Sequence, residues 1–201
     1  MAGKSVHIGV LALQGGVREH LQALEQCGTR ATAIKTIEQF NSVDALVIPG
    51  GESTTIIKLA TRYEFIEPIR EKISRGFPVY GSCAGMILLA DEILDGTADQ
   101  ETFGGLDVVV QRNAFGRQTE SFEAPVKLPG DPDAFPGVFI RAPMVISHGS
   151  GVEVISSIEA GPHAGRIVGI AQDNLMATAY HPELTSDTRV HKMFVDRVKA
   201  G

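Results

Sequence analysis

Short, nearly continuous apolar runs alternate with amphipathic stretches through the first half of the chain. Residues 6–13, VHIGVLAL, read as a strand buried on both faces, and QGG breaks the run. Residues 17–27, VREHLQALEQC, carry Val17, Leu21 and Leu24 at helical spacing, with Gly28 as the stop. A weak strand is expected at 31–35 and a stronger one at 44–51, ended by Pro-Gly-Gly. Residues 53–76 read as helical with an interruption near Pro68, which can open a second helix in its first turn. FPVYGS (77–82) then reads as a strand and AGMILLADEIL (84–94) as a helix. This β-α-β-α order predicts a parallel sheet with helices on both faces.

The second half changes character. LDVVVQRN, SFEAPVKL, GVFIRAP, GVEVISS, RIVGIAQD and LMATAYHPE are strand-like runs with turn residues between them, which predicts an antiparallel or mixed extension. The last helix starts after Ser186 or Asp187 as N-cap and places Val190, Phe194 and Val198 on one face. No internal repeat, low-complexity tract or linker interrupts the chain, so residues 1–201 are expected to form one domain. The fold class is α/β: a three-layer sandwich with a mostly parallel central sheet and an antiparallel or mixed extension.

Composition narrows the function classes. Eighteen Lys+Arg against 24 Asp+Glu give a formal charge of −6, which leaves no basic footprint for nucleic acid and no polybasic membrane patch. The longest apolar stretches are far too short to span a bilayer, and the start of the chain lacks the long apolar region of a signal peptide. Two cysteines without such a signal point to a reducing, cytoplasmic setting in which Cys27 and Cys83 are both thiols.

Cys83 sits in Gly-Ser-Cys-Ala-Gly, between an apolar strand and an apolar helix. That is the form of a nucleophile elbow with Cys in place of Ser. A sharp turn strains its central residue, and Gly81 and Gly85 relieve the crowding on either side. The helix N-terminus stabilises a thiolate, and the Ala84 N–H can donate to an oxyanion. The competing reading is a small buried hydrophobe, the usual fate of an unpaired cysteine. Cys27 ends an amphipathic helix without a basic neighbour, and core packing fits it better.

A thiol nucleophile needs a base. His181 lies after an apolar strand with Glu183 two residues on, and in an extended segment residues i and i+2 point the same way. Glu183 can then hold one ring nitrogen of His181 while the other faces the thiol. The alternative is a surface His-Pro turn with a solvated Glu. His7 is expected to be a satisfied core or edge residue, and His20 and His191 to be solvated on their helices. His148 and His163, in Gly-rich loops, are secondary candidates. No cluster of Cys, His or acidic residues shows metal-ligand spacing.

GSCAGM with HPELT resembles the triad-type (class I) glutamine amidotransferases, which use Cys-His-Glu. LALQGGVREH, VIPGGESTT, QRNAFGRQTESFEAP and GVFIRAP narrow the likeness to the glutaminase subunits of pyridoxal 5′-phosphate synthase, the PdxT/SNO family, from about residue 6 to about residue 198. The resemblance implies that Cys83 is the nucleophile with His181 and Glu183 completing the triad. It implies glutamine contacts for Gly51, Glu52, Ser53, Arg112, Ile140 and Arg141, and a protein partner, the synthase subunit, that receives ammonia. It calls for no cofactor and no metal. Read from the residues alone, Ser53 fits equally well as a helix N-cap, and nothing separates Arg112 and Arg141 from other arginines.

Backbone N–H groups of Ala84 and Gly51 are the expected oxyanion donors. Gln14, at the end of the first strand, is a candidate for the partner interface or an ordinary loop residue. SIEAGPHAGRIVG looks a few residues longer than the family pattern, away from the motif residues. Three other readings stay open at this point: a glutaminase serving a different synthase, a sensor with a redox-sensitive elbow cysteine, and a cysteine hydrolase for another amide.

Overall fold

The structure is a computed structural model that describes residues 6–96, 101–115 and 121–201. The first half runs β1 (His7–Leu11), α1 (Val17–Gln26), β2 (Arg30–Ile34), α2 (Ile37–Asn41), β3 (Ala45–Ile48), α3 (Ser53–Arg62), α4 (Ile66–Ser74), β4 (Val79–Ser82) and α5 (Ala84–Leu89). The second half runs β5 (Ala90–Leu94), β6 (Leu106–Gln111), β7 (Ser121–Lys127), β8 (Phe135–Ile140), β9 (Met144–His148), β10 (Glu153–Ile158), β11 (Ile167–Gln172), β12 (Leu175–Thr178) and α6 (Arg189–Ala200). Part of the motif spanning residues 111–125, residues 116–120, lies outside the described residues.

Among the described residues the strands form one large sheet in the order β2-β1-β3-β4-β12-β11-β10-β7-β8 and a small one in the order β5-β6-β9. From β2 to β12 the neighbours are parallel; from β12 to β8 they are antiparallel. The mixed extension is thus a continuation of the central sheet. β12 is the hinge of this arrangement, since it pairs parallel with β4 on one side and antiparallel with β11 on the other.

Alternation along β4 sets the layers. Consecutive strand residues face opposite sides. Tyr80 packs against Phe194 and His191 of α6 and His20 of α1. The backbone of Gly81 meets α5 on the other side, where a Cβ would stand 2.4 Å from the carbonyl carbon of Gly85. Helices therefore cover both faces, as the β-α-β-α pattern requires. No helix among the described residues is long and apolar enough to cross a membrane.

Three local expectations need correction. The helix expected over 84–94 ends at Leu89. Its last carbonyls are taken by the incoming chain: Leu88 O accepts from the N–H of Phe103 (2.7 Å) and Gly104 (3.3 Å), and Asp91 accepts from Gly105 N–H at 2.8 Å. These bonds turn Ala90–Leu94 into a strand paired with β6. The N-cap of α6 is Thr188 and that of α3 is Glu52, so Ser53 is the first helical residue. Asp187 still serves the helix start, accepting from Arg189 N–H at 3.0 Å. Pro68 lies in the first turn of α4, as expected.

Candidate active site

The turn from β4 into α5 holds Cys83 at φ +49°, ψ −99°, a conformation that L-residues rarely adopt. Strain of this kind costs on the order of 1–3 kcal/mol and persists where the surroundings enforce it. Here they do so through hydrogen bonds. Cys83 N–H donates to Thr178 O at 2.7 Å, and Cys83 O accepts from Met86 N–H at 3.0 Å. Gly81 and Gly85 press together across the turn, and a Cβ on Gly85 would stand 2.4 Å from Ile48 O. The elbow read from Gly-Ser-Cys-Ala-Gly is thus built as its small residues dictate.

β12 runs parallel beside β4, with Thr178 opposite Ser82. The chain leaving β12 therefore reaches His181 next to the elbow. His181 N–H is anchored on Val138 O at 2.9 Å, and its Nδ1 donates to Glu183 Oε1 at 2.8 Å. The two side chains meet through a 3-10 turn over Pro182–Leu184, not through the extended segment expected from i, i+2 spacing. The other carboxylate oxygen, Oε2, accepts from Ser82 Oγ at 3.2 Å.

Gly50 closes the group: a Cβ there would lie 2.4 Å from His181 Cε1 and 3.4 Å from Cys83 Cβ. Burial opposes a charge on His181, yet hydrogen bonds and charge from Cys83 and Glu183 outweigh it and raise its pKa to about 10. Burial likewise opposes ionisation of Glu183, but the imidazoles of His20 and His181 hold it down at about 2. The pair therefore stands as imidazolium and carboxylate at neutral pH.

A cavity of about 310 Å³ opens over this group, and the residues expected for the triad, the glutamine contacts, the oxyanion donors and Gln14 all line it. Gly51, Glu52 and Ser53 come from the loop after β3 and the start of α3. Arg112 follows β6, and its Nη2 lies 3.3 Å from Glu52 Oε1. Ile140 ends β8, its carbonyl 3.8 Å from Cys83 Sγ, and Arg141 follows at φ +45°. Ala84 opens α5 at the cavity wall. Gln14 also lines the cavity, where its Oε1 accepts from Glu52 N–H at 2.8 Å and so braces the loop carrying Gly50 and Gly51. Gly16 N–H adds a second brace on Gly50 O at 3.1 Å.

The remaining candidates fall elsewhere. His148 ends β9, and His163, in the β10–β11 connection formed by the long 158–168 segment, packs on the rings of Phe115 and Phe122. Cys27 packs against the core, and His7 bonds to Thr32 Oγ1 at 2.8 Å. The expectation that His20 and His191 are solvated is wrong. Both are fully buried, with His20 Nδ1 2.9 Å from His191 Nε2 and His20 Nε2 3.4 Å from Glu183 Oε2. Burial pushes both imidazoles down, His191 to about 3. Their spacing carried the signal: His20 shares a helical face with Ala23 and Leu24, and His191 shares one with Phe194 and Val195.

The model of the SNO glutamine amidotransferase family matches residues 10–200. The chain belongs to that family. Members similar to it include proteins named pyridoxal 5′-phosphate synthase subunit PdxT. One, from Kineococcus radiotolerans, is 54% identical over 203 residues, covering 99% of this chain and 98% of that protein. Another, from Salinispora tropica, is 56% identical over 195 residues, covering 96% and 97%. A solved structure described as a glutamine amidotransferase superposes with a TM-score of 0.86 at 43% identity, covering 95% of this chain and 98% of that one. Family membership accounts for the α/β fold with its mixed sheet.

Proposed function

We propose that this chain is the glutaminase subunit of a pyridoxal 5′-phosphate synthase, a single cytoplasmic domain that hydrolyses L-glutamine to L-glutamate and passes the ammonia to a synthase partner. The observation that carries the reading is the stacking of His181 on Gly50 beside the strained Cys83, with Glu183 bonded to the far side of the imidazole. A sensor cysteine needs no such base. The names of the relatives favour this synthase over another one.

The Cys83 thiolate adds to the side-chain amide carbon of glutamine, and the carbonyl electrons move onto oxygen. Backbone N–H groups of Ala84 and Gly51 receive that oxyanion, each such donor lowering the barrier by about 3 kcal/mol. Protonated His181 gives its proton to the amide nitrogen as the C–N bond breaks, and ammonia leaves. His181, now neutral, takes a proton from water. The hydroxide cleaves the glutamyl thioester, and Cys83 departs as thiolate. Glu183 keeps the imidazole in the tautomer this needs and stabilises its charged form. Arg112 and Arg141, with Glu52, Ser53 and Ile140, hold the amino-acid end of the substrate.

Ammonia in neutral water is largely protonated and no longer nucleophilic, so a synthetic use demands a shielded transfer to the partner. The test is ammonia release from glutamine with and without the synthase subunit. Release that rises on mixing and disappears in Cys83→Ala supports the reading. Undiminished release from Cys83→Ala refutes the nucleophile, and no response to the synthase refutes the coupling.

A further inference from the structure

Behind the triad, on the side away from the cavity, lies a pair of imidazoles that the chemistry above does not use. His20 of α1 and His191 of α6 are fully buried, and neither lines the cavity. Tyr80 closes on both rings edge-on, at centroid distances of 6.1 and 6.2 Å. Burying two polar rings where aliphatic side chains would fit costs free energy unless their nitrogens are used.

The protons can be placed from Glu183. One proton lies between His20 Nδ1 and His191 Nε2, which are 2.9 Å apart. Were His20 its donor, the neutral ring would turn a lone pair on Glu183 Oε2, 3.4 Å from Nε2, and leave the His191 Nδ1–H without an acceptor. With His191 as donor, His20 carries its proton on Nε2 and points an N–H at the carboxylate. A lone pair at His191 Nδ1 is then left without a partner, and His20 Nε2, which makes no hydrogen bond elsewhere, has the carboxylate at 3.4 Å as its electrostatic partner. The negative oxygen selects this second arrangement.

We propose that His20 is a positioning residue of the glutaminase site: its Nε2–H, oriented by His191, attracts the buried Oε2 of Glu183 across 3.4 Å and so favours the orientation in which Oε1 stays on Nδ1 of His181. The inference rests on the triad reading above. Ser82 Oγ donates a hydrogen bond to the same oxygen at 3.2 Å, and His20 Nε2 faces it from α1 at 3.4 Å, an electrostatic contact whose alignment falls short of a hydrogen bond, so Oε2 meets β4 and α1 together. Nothing in this role touches the substrate, so the loss of His20 acts on the rate of chemistry and not on glutamine binding.

The experiment measures glutamine hydrolysis in the complex with the synthase subunit for His20→Leu, His20→Gln and Glu183→Gln. His20→Leu keeps bulk and removes the N–H that faces the carboxylate; kcat should fall about tenfold, the low end for a donor set against a buried charged group, with KM unchanged. His20→Gln carries an amide N–H near the position of Nε2 and should recover most of kcat. Equal losses in both variants, or no loss in His20→Leu, overturn the proposal. Nitrogen-15 spectra of the wild-type imidazoles give a reading that no variant's folding affects: His20 should be protonated at Nε2 and bare at Nδ1, and the reverse overturns the proposal. Glu183→Gln separates the two levels. Full activity there defeats the triad itself, whereas an impaired Glu183→Gln beside an unimpaired His20→Leu defeats only the role of His20.

Discussion

Gly50 lies so close to His181 that a Cβ on it would stand 2.7 Å from Nδ1 and 2.4 Å from Cε1 of the imidazole. The ring is confined by the backbone of the β3 loop on that side and by Glu183 behind it. Gly50→Ala must push the ring away from the elbow. Displacement of a catalytic group by about 1 Å costs about a hundredfold in rate, so kcat should fall by at least that factor. Steady-state kinetics check this, with a circular-dichroism melt to confirm the fold; a rate near wild type would show that the ring has room to spare.

Cys83 occupies a backbone conformation that suits glycine better than any other residue. Cys83→Gly should relieve the strain and raise the unfolding free energy by about 1 kcal/mol while abolishing hydrolysis. Urea denaturation monitored by fluorescence or circular dichroism measures the gain. A loss of stability would mean that the packing of the thiol outweighs the strain.

The titration of His181 and Glu183 predicts opposite pH signatures. His181 is raised from 6.5 to about 10, so its contribution to stability is fully present below pH 6.5 and is lost as pH rises through about 10. Glu183 is lowered from 4.5 to about 2, so its contribution is present above pH 4.5 and is lost as pH falls through about 2. The stability difference between wild type and His181→Gln should shrink on the alkaline side, and that between wild type and Glu183→Gln on the acid side. Urea melts across pH check both; a difference independent of pH in either case contradicts the assigned charge state.

Arg112 is half-buried at the cavity and lies 3.3 Å from Glu52 Oε1, which fixes its guanidinium toward the site. Arg112→Ala should raise KM for glutamine about tenfold or more with a smaller change in kcat, as expected for a group that binds substrate and transition state alike. Arg112→Lys should restore little, because a planar fork and a point charge grip a carboxylate differently. A kcat effect larger than the KM effect would move Arg112 from binding to chemistry.

Much of the parallel half was legible because its strands are buried on both faces and its turns are marked by glycine and proline: VHIGVLAL, DALVIPGG and FPVYGS each became a strand of the central sheet. The boundary that failed, Leu89 against Leu94, is decided by hydrogen bonds from Phe103, Gly104 and Gly105, which no local window contains. β9 was missed for the same reason, since it is defined by its pairing with β6, whereas α2 carried a local signal that went unread, the Thr36–Gln39 capping box. The meeting of Cys83 and His181 at one cavity was legible because glycines flank the turn at Cys83 and an apolar strand leads into His181. His20 was misread because histidine on a helix suggests solvent. The stripe it shares with Ala23 and Leu24 is the stronger signal, with Val17 and Leu21 packing against the core along its edge.

The pairing of β4 with β12 also has a consequence for synthesis of the protein on the ribosome. The strand that ends in the thiol is made nearly a hundred residues before the strand that delivers the imidazole, yet the two are side by side in the finished sheet. A nascent or truncated chain that lacks β12 carries Cys83 without His181 beside it. On the proposed function, hydrolysis is expected only once β12 has taken its place between β4 and β11, near the end of synthesis.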